Sequence, residues 1–522
     1  MRISYLPPLM VYLAAGVSGL TGIVGTFFVK DHLGLSAEFL AALGFWAGIP
    51  WALKMGVGHL VDLVWKWKSF LVVFGAALIG SSLAIMIGLL GHAAFMTRYL
   101  SVEAWFVWSV LLAPVGYMVQ DVVADAMTVE AVPIVDDAGR PYSQEAIKLM
   151  HTTMQTLGRV ATVGGGIVVS LVNIFMLKDA DSFARDAKLA LYTNIYTVAL
   201  LIPAISVLGV ISAALFKRLR TRKLRCLGLK AERAEELLKV HRDCVKPNWW
   251  IIGGSLGFGL FTLAMGVAHV PFNQEVIFVG SMTLILFLMA RLVRELSPAA
   301  RRALVGTAII IFVFRALPGP GAGSTWWQID ELGFDEHFLS VLSLIGGSLA
   351  LVGMFVFRRF MAEKSIAYVV GFLAVVGTLL SLPILGMYYG LHRWTAAMTG
   401  GLVDARFIAV VDTALESPLG QVAMIPMLAW IANSAPANLK ATFFAVMASF
   451  TNLALSLSSL GTKYLNQVFT VTRAVLDPVT GTITLSARYG DLGPLLVTVT
   501  LLGFLLPFMS IFFVNCSPLR SR

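Results

Sequence analysis

Long apolar stretches decide what this chain can fold into. Fourteen run to about the length of a membrane crossing: 9–29, 37–58, 70–92, 104–130, 150–177, 191–216, 249–269, 276–296, 303–317, 338–357, 366–390, 402–432, 441–469 and 494–515. A crossing takes about 20 mostly apolar residues. The hydrocarbon offers no water to satisfy backbone N–H and C=O groups, so each stretch is expected to be a helix. Only 13% of the 522 residues are charged, against about 25% in soluble domains. The expected class is therefore an all-α polytopic membrane protein. The stretch at 303–317 is short and runs into Leu317-Pro318-Gly319-Pro320-Gly321, a sequence that breaks helices. The first stretch lacks a basic leader and a small-residue cleavage site, and is expected to remain as the first span.

Charge distribution orients these spans. With both termini placed in the cytoplasm, and Arg291 and Arg294 at the inner end of 276–296 counted with the inside segments, these hold 26 of the 39 basic residues and the outside segments hold 8. That asymmetry follows the positive-inside rule. The segment 217–248 alone carries 11 of the basic residues. It is expected to form an amphipathic helix on the cytoplasmic surface in contact with membrane lipid. The net charge of +10 is then a topology signal and needs no nucleic-acid partner. Cys226, Cys244 and Cys516 suggest neither a disulfide framework nor a metal site. No Walker A loop, H-E-x-x-H or G-x-S-x-G is present, so neither an enzyme nor a cofactor is expected.

An internal repeat divides the chain. Lys30-Asp31-His32-Leu33-Gly34-Leu35-Ser36-Ala37-Glu38-Phe39-Leu40 recurs as Ile329-Asp330-Glu331-Leu332-Gly333-Phe334-Asp335-Glu336-His337-Phe338-Leu339. Each copy lies between two apolar spans. The implied organisation is a six-helix bundle at 1–216, a basic cytoplasmic loop at 217–248, two inserted helices at 249–296 and a second six-helix bundle at 297–522. Two parallel halves joined by a basic connection resemble the major facilitator superfamily. Gly58-His59-Leu60-Val61-Asp62 is similar to the cytoplasmic loop of that superfamily. Gly58 would allow close helix approach and Asp62 would cap or pair at a cytoplasmic gate.

Charges inside the spans mark the candidate pathway. An ionisable group near the bilayer centre costs about 2.5–3.5 kcal/mol on insertion scales. Such groups therefore face a partner or a wet cavity. Asp121 and Asp125 are four residues apart and share a helix face with Thr128, as do Asp412 and Glu416 just before Ser417-Pro418. The basic residues Lys54, Arg159, Arg315 and Lys463 are also embedded. Lys54 is read either as a substrate or gating charge or as a snorkelling or acid-paired group, Arg159 either as such a charge or as the partner of Asp121 or Asp125, and Arg315 either as such a charge or as an interfacial anchor. Lys463 is a candidate partner for Asp412 and Glu416. Asn452 and Ser449 form a small polar face. Asp404, Arg406 and Glu130 are read as interfacial.

Three segments carry a closer resemblance. They are Phe28-Val29-Lys30-Asp31-His32-Leu33-Gly34-Leu35-Ser36 with Pro50-Trp51-Ala52-Leu53-Lys54, then Asp121-Val122-Val123-Ala124-Asp125-Ala126 with Val129-Glu130, and Ala441-Thr442-Phe443-Phe444-Ala445 with Ser449 and Asn452. Together they resemble the folate–biopterin transporter family, with Met55 where that family usually has Pro and Lys440 where Glu is common. The resemblance implies a secondary active transporter for folate, pterin or a related small anionic solute, working by alternating access. A pterin's paired N–H donors suit a carboxylate such as Asp121, Asp125 or Asp412. Its ring would stack on Trp46 or Trp51, and an anionic tail would want Lys54, Arg159 or Arg315. Proton coupling is expected, through Asp125 or Asp121. A muropeptide-type permease of the same superfamily is the nearest alternative. A non-transporting pigment-delivery or assembly factor on this fold is the rival from another class. The expected location is a bacterial inner membrane or a plasma membrane.

Overall fold

The computed structural model describes residues 5–519 apart from 34, 65–66, 133–141, 227–246, 268–269, 295–296, 421, 423–439 and 477–482. Its helices, numbered along the chain with the shortest left out, begin with α1 (Leu6–Val17), α2 (Gly22–His32), α3 (Ala37–Ala52), α4 (Lys54–Leu63) and α5 (Lys68–Gly91). There follow α6 (Val102–Ala131), α7 (Gln144–Met176), α8 (Arg185–Ala199), α9 (Leu201–Cys226), α10 (Trp249–Val267) and α11 (Asn273–Val293). The second half holds α12 (Pro298–Arg315), α13 (Ala322–Leu332), α14 (Glu336–Val356), α15 (Ile366–Tyr388), α16 (Ala405–Glu416), α17 (Lys440–Val468) and α18 (Leu492–Cys516). Among the described residues, eleven helical segments are long and apolar enough to cross a membrane. The expected crossings outside that set correspond to the interrupted α12–α13 pair, α16 and α17. The protein is an all-α polytopic membrane protein with the major facilitator fold.

The repeat is physical as well as textual. Ser36 accepts the Phe39 N–H at the start of α3, and Asp335 accepts the Phe338 N–H at the start of α14. These are the same positions of the two copies. A side-chain oxygen here satisfies one of the N–H groups that a helix start leaves open. Ser101 and Asp404 cap α6 and α16 in the same way. Asp404 is thus a helix cap, and its neighbour Arg406 reaches the carboxylate of Asp335 at 2.7 Å.

Two expectations are corrected. The Pro-Gly run does not end the crossing at 303–317, because α13 resumes it. Gly321 has φ +76°, a conformation that glycine adopts without strain, and the chain re-enters the bundle so that Trp326 and Trp327 are buried. The stretch after 318, expected as an outside loop, is therefore largely helical. At the basic connection, the apolar span ends at Phe216 and α9 continues as helix through Cys226. The rest of the expected amphipathic helix lies outside the described residues. The segment after α17 also contains a short two-stranded antiparallel ribbon, β1 (Val475–Leu476) paired with β2 (Ile483–Leu485), below a bridge between Thr472 and Arg488.

Packing follows the use of small residues. A Cβ on Gly165 of α7 would lie 2.8 Å from the Cα of Gly16 and from the Leu13 oxygen on α1. The two backbones therefore meet with no side chain between them. One apolar core fills the first half around Phe27, Phe28, Ile79, Tyr192 and Ile195. A second joins α3 to the inserted helices and α17 through Phe45, Phe258, Ile285 and Phe450. Gly165→Val is expected to lower stability by about 1–3 kcal/mol, read as a fall in melting temperature of the detergent-solubilised protein. Gly164→Val, where an added Cβ meets nothing, is the matched control.

Candidate functional site

The embedded charges of the first half form one cluster. Lys54, the first residue of α4, places its ammonium 2.5 Å from Asp121 Oδ2 and 2.8 Å from Asp125 Oδ2. The Asp121–Asp125 spacing puts both carboxylates on one face of α6, as the sequence indicated. Tyr12 of α1 donates its hydroxyl to Asp125 Oδ1 at 2.6 Å. Arg159 of α7 is near enough to act electrostatically on Asp121 and Tyr12. Two cations and two anions thus balance where four helices converge. Each charge offsets another, which lets the group sit within the bundle.

A cavity of about 490 Å³ lies on the side of this cluster that faces the 30–38 turn. Polar side chains on its wall include Ser18, Thr21, Thr26, Tyr117, Tyr196 and Trp326. No charged side chain lines it. Asp121 follows Tyr117 on α6 by one helical turn, about 6 Å. Lys54 follows the lining residue Ala47, and Tyr12 precedes Ser18, so all three helices place the ion cluster beneath the cavity floor. A second cavity of about 360 Å³ adjoins the first through Leu40 and Ala322, and lies against Gly319, Gly321, Ser458 and Thr462. It sits where the α12–α13 break meets α3 and α17.

Ion pairs between the halves close the structure on the turn side. Lys30 of the first repeat copy meets Asp330 of the second at 2.6 Å, and Tyr489 donates to the same carboxylate. Glu336, fully buried, accepts from Tyr192 and pairs with Lys188 at 2.5 Å. Gln467 donates to Glu38 at 2.6 Å.

The remaining sequence candidates have separate roles. Asn452 donates to the Trp51 oxygen at 3.1 Å, a contact from α17 to α3. Arg315 donates through Nε to the Thr451 oxygen. Lys463 does not pair with Asp412 or Glu416. It meets Glu275 of α11 at 3.2 Å, and Tyr464 donates to the same acid. Asp412 is 6% exposed, and its Oδ1 has no hydrogen-bond partner among the described residues. Glu416, one turn on, is exposed. Lys54, Asp121, Asp125, Arg159, Arg315, Asp412, Glu416, Lys463, Trp51 and Asn452 line neither cavity. Close approach beside Gly58 belongs instead to Gly56, which abuts Ser255 of α10, whereas a Cβ on Gly58 would have ordinary contact with Val122. The side chains of Asp62 and Glu130 lie outside the described residues. Trp46 faces Gly266 of the inserted helices, and Trp51 packs beside the α4–α6 core. The aromatic groups on the cavity, Tyr117, Tyr196 and Trp326, were missed because nothing in their spacing separates them from core residues.

The sequence profile of the BT1 family matches residues 15–507. The chain belongs to the BT1 family. It is 24% identical over 456 residues to a folate-biopterin transporter of Synechocystis sp., a match covering 86% of this chain and 72% of that one. Among solved structures, it resembles a peptide transporter POT in complex with sulfate, with a TM-score of 0.58, 14% identity and coverage of 98% and 94%. It also resembles the nucleoside transporter NupG, with a TM-score of 0.52, 12% identity and coverage of 98% and 99%. This BT1 protein is a multi-pass membrane transporter, not an enzyme.

The ion cluster generates a prediction. Lys54→Met leaves two carboxylates without their shared cation. Removing one member of a buried pair costs about 3–5 kcal/mol. Asp125 is partly open, so the low end, about 3 kcal/mol, is expected. Thermal unfolding of purified protein checks this. The triple variant Lys54→Met/Asp121→Asn/Asp125→Asn is expected to regain most of the loss.

Proposed function

We propose that this chain carries a folate- or pterin-like solute, or a related small anion, across the membrane by alternating access, with the proton as coupling ion. The observation that carries the reading is a cavity lined mostly by the first half and completed by Ala322 and Trp326 of the second, in a structure whose halves are held together by Lys30–Asp330 and Lys188–Glu336. A carrier needs a site that one set of contacts closes while another opens. The relative named as a folate-biopterin transporter supports the solute class. The cavity's hydroxyls and the Trp326 and Tyr117 rings suit a flat, polar heterocycle. We place both termini in the cytoplasm and the protein in a bacterial inner membrane or a plasma membrane, on the asymmetry of its basic residues.

The coupling group in this reading is Asp412 rather than Asp121 or Asp125. The latter two already share Lys54. Asp412 has Glu416 one turn away on its own helix. The packed helices α14 and α15 carry no charged side chain between 338 and 356 or between 366 and 388. An ionised carboxylate without a nearby cation is among the costliest groups to hold in a membrane, and binding a proton removes that cost. A conformation that hydrates Asp412 would release the proton.

Uptake of radiolabelled folate and biopterin into proteoliposomes tests the proposal. An imposed proton gradient is expected to accelerate saturable uptake. Asp412→Asn is expected to retain solute exchange but lose its response to the gradient. Wild-type uptake that an uncoupler leaves unchanged would remove proton coupling. Uptake of muropeptide fragments alone would favour the muropeptide permease, and no saturable uptake of any of these solutes would favour a delivery factor.

A further inference from the structure

The transport reading leaves the second cavity unused. It holds about 360 Å³ and shares Leu40 and Ala322 with the first. Small-molecule sites span about 300–1,000 Å³. Its walls are α3 at Gly44, the α12–α13 break at Gly319, and α17 at Ser458, Ser459 and Thr462. Small residues in a membrane bundle usually let backbones meet, as Gly16 and Gly165 do. Around this cavity they leave room instead. A Cβ on Gly319 would meet nothing within 4 Å, and one on Gly44 would come no nearer than 3.5 Å to Ser459. The gap forfeits dispersion contacts that an occupant would restore.

The walls also define the occupant. No charged side chain lines this cavity. Ser458 donates to the Leu317 oxygen at 2.6 Å, Ser459 to the Leu455 oxygen at 3.3 Å and Thr462 to the Ser458 backbone oxygen at 2.9 Å. A hydroxyl has one hydrogen to give and two lone pairs to accept with. All three hydrogens are therefore committed to carbonyls, and what faces the cavity is acceptor oxygen. Thr462 already uses one lone pair on the Gly319 N–H; Ser458 and Ser459 keep theirs. Acceptor oxygens set among glycine and apolar surface suit a neutral group bearing N–H donors, and with no cation present they do not suit a carboxylate.

We infer that the second cavity receives the uncharged aryl-amide arm of an elongated solute whose heterocycle occupies the first. This rests on the transport reading above and adds to it a second subsite. The arm passes Leu40 and Ala322, which border both cavities. Its ring lies against the open backbone at Gly319 and Gly44, and its N–H groups meet the oxygens of Ser458 and Ser459. A solute with only a short side chain, such as biopterin, stays in the first cavity.

The test is proteoliposome uptake of radiolabelled biopterin, with pteroylglutamate and pteroic acid amide as competitors. The amide keeps the arm and lacks the glutamate. Gly319→Leu, whose side chain would enter the open space of the second cavity, is expected to raise the inhibition constants of both arm-bearing compounds at least about tenfold. Biopterin KM should stay within about twofold. Gly22→Leu places the same side chain in the first cavity, where an added Cβ also meets nothing, and should weaken all three compounds. Gly319→Ala fills less of the space, should fall between wild type and Gly319→Leu, and serves if the leucine variant does not reach the membrane. Equal losses for biopterin and the competitors in Gly319→Leu would show that Gly319 only shapes the helix break, and unchanged constants would likewise overturn the assignment. A loss confined to pteroylglutamate would place the glutamate there instead of the arm. Arm-bearing compounds that fail to compete in wild type would sink this inference alone, whereas wild-type uptake of neither biopterin nor pteroylglutamate would fell the transport reading with it.

Discussion

A membrane tolerates few charges, and the arrangement of this protein turns on which of them find partners. Lys54 takes both carboxylates of α6, with Tyr12 and Arg159 beside them. Lys463 and Tyr464 take Glu275. Lys30 takes Asp330, and Lys188 takes Glu336. Each pairing spans separate helices, so satisfying charge also fixes how those helices meet. Among the described residues, the charged side chains that keep a buried atom without a hydrogen-bond partner are Glu275, Glu336, Asp412 and Arg473. Glu275 and Glu336 still hold a lysine through their other oxygen, whereas Asp412 forms no ion pair among the described residues, which is why the proposed reading gives it the proton.

The inserted helices fit the same logic. Gln274 donates to the Ala42 oxygen of α3, Asn248 donates its N–H to His59, and Ser255 lies against Gly56. From the other side, Glu275 is held by α17. The pair α10–α11 thus touches helices of both bundles along the seam where α3 meets α17, and Trp46 packs against Gly266 in that seam. Its outward surface, including Leu256, Leu260 and Leu263, is exposed and apolar, as a lipid-facing surface should be.

Much of this was legible in the sequence, for definable reasons. Helical periodicity brings Asp121 and Asp125 to one face, and a single cation can then serve both. The repeat placed Ser36 and Asp335 at equivalent positions, and both cap helices. Long-range partners were not legible. Lys463 was matched with acids in its own half because Glu275 lies on helices with no counterpart in the repeat. The restart at Ala322 was hidden because Pro-Gly sequences signal a break but not whether the chain re-enters the bundle. Nothing in the local sequence sets Arg473 apart. Its burial depends on the segment after α17 folding back over Val29 and Trp326, which local sequence does not encode.

The most direct test of the paired charges as frame is an experimental structure with pteroylglutamate bound. Its ring should lie in the cavity between Trp326 and Tyr117, with the Lys54–Asp121–Asp125 contacts intact. A solute seated on Lys54, with those ion pairs broken and the cavity empty, would contradict the claim that the paired charges are frame rather than site.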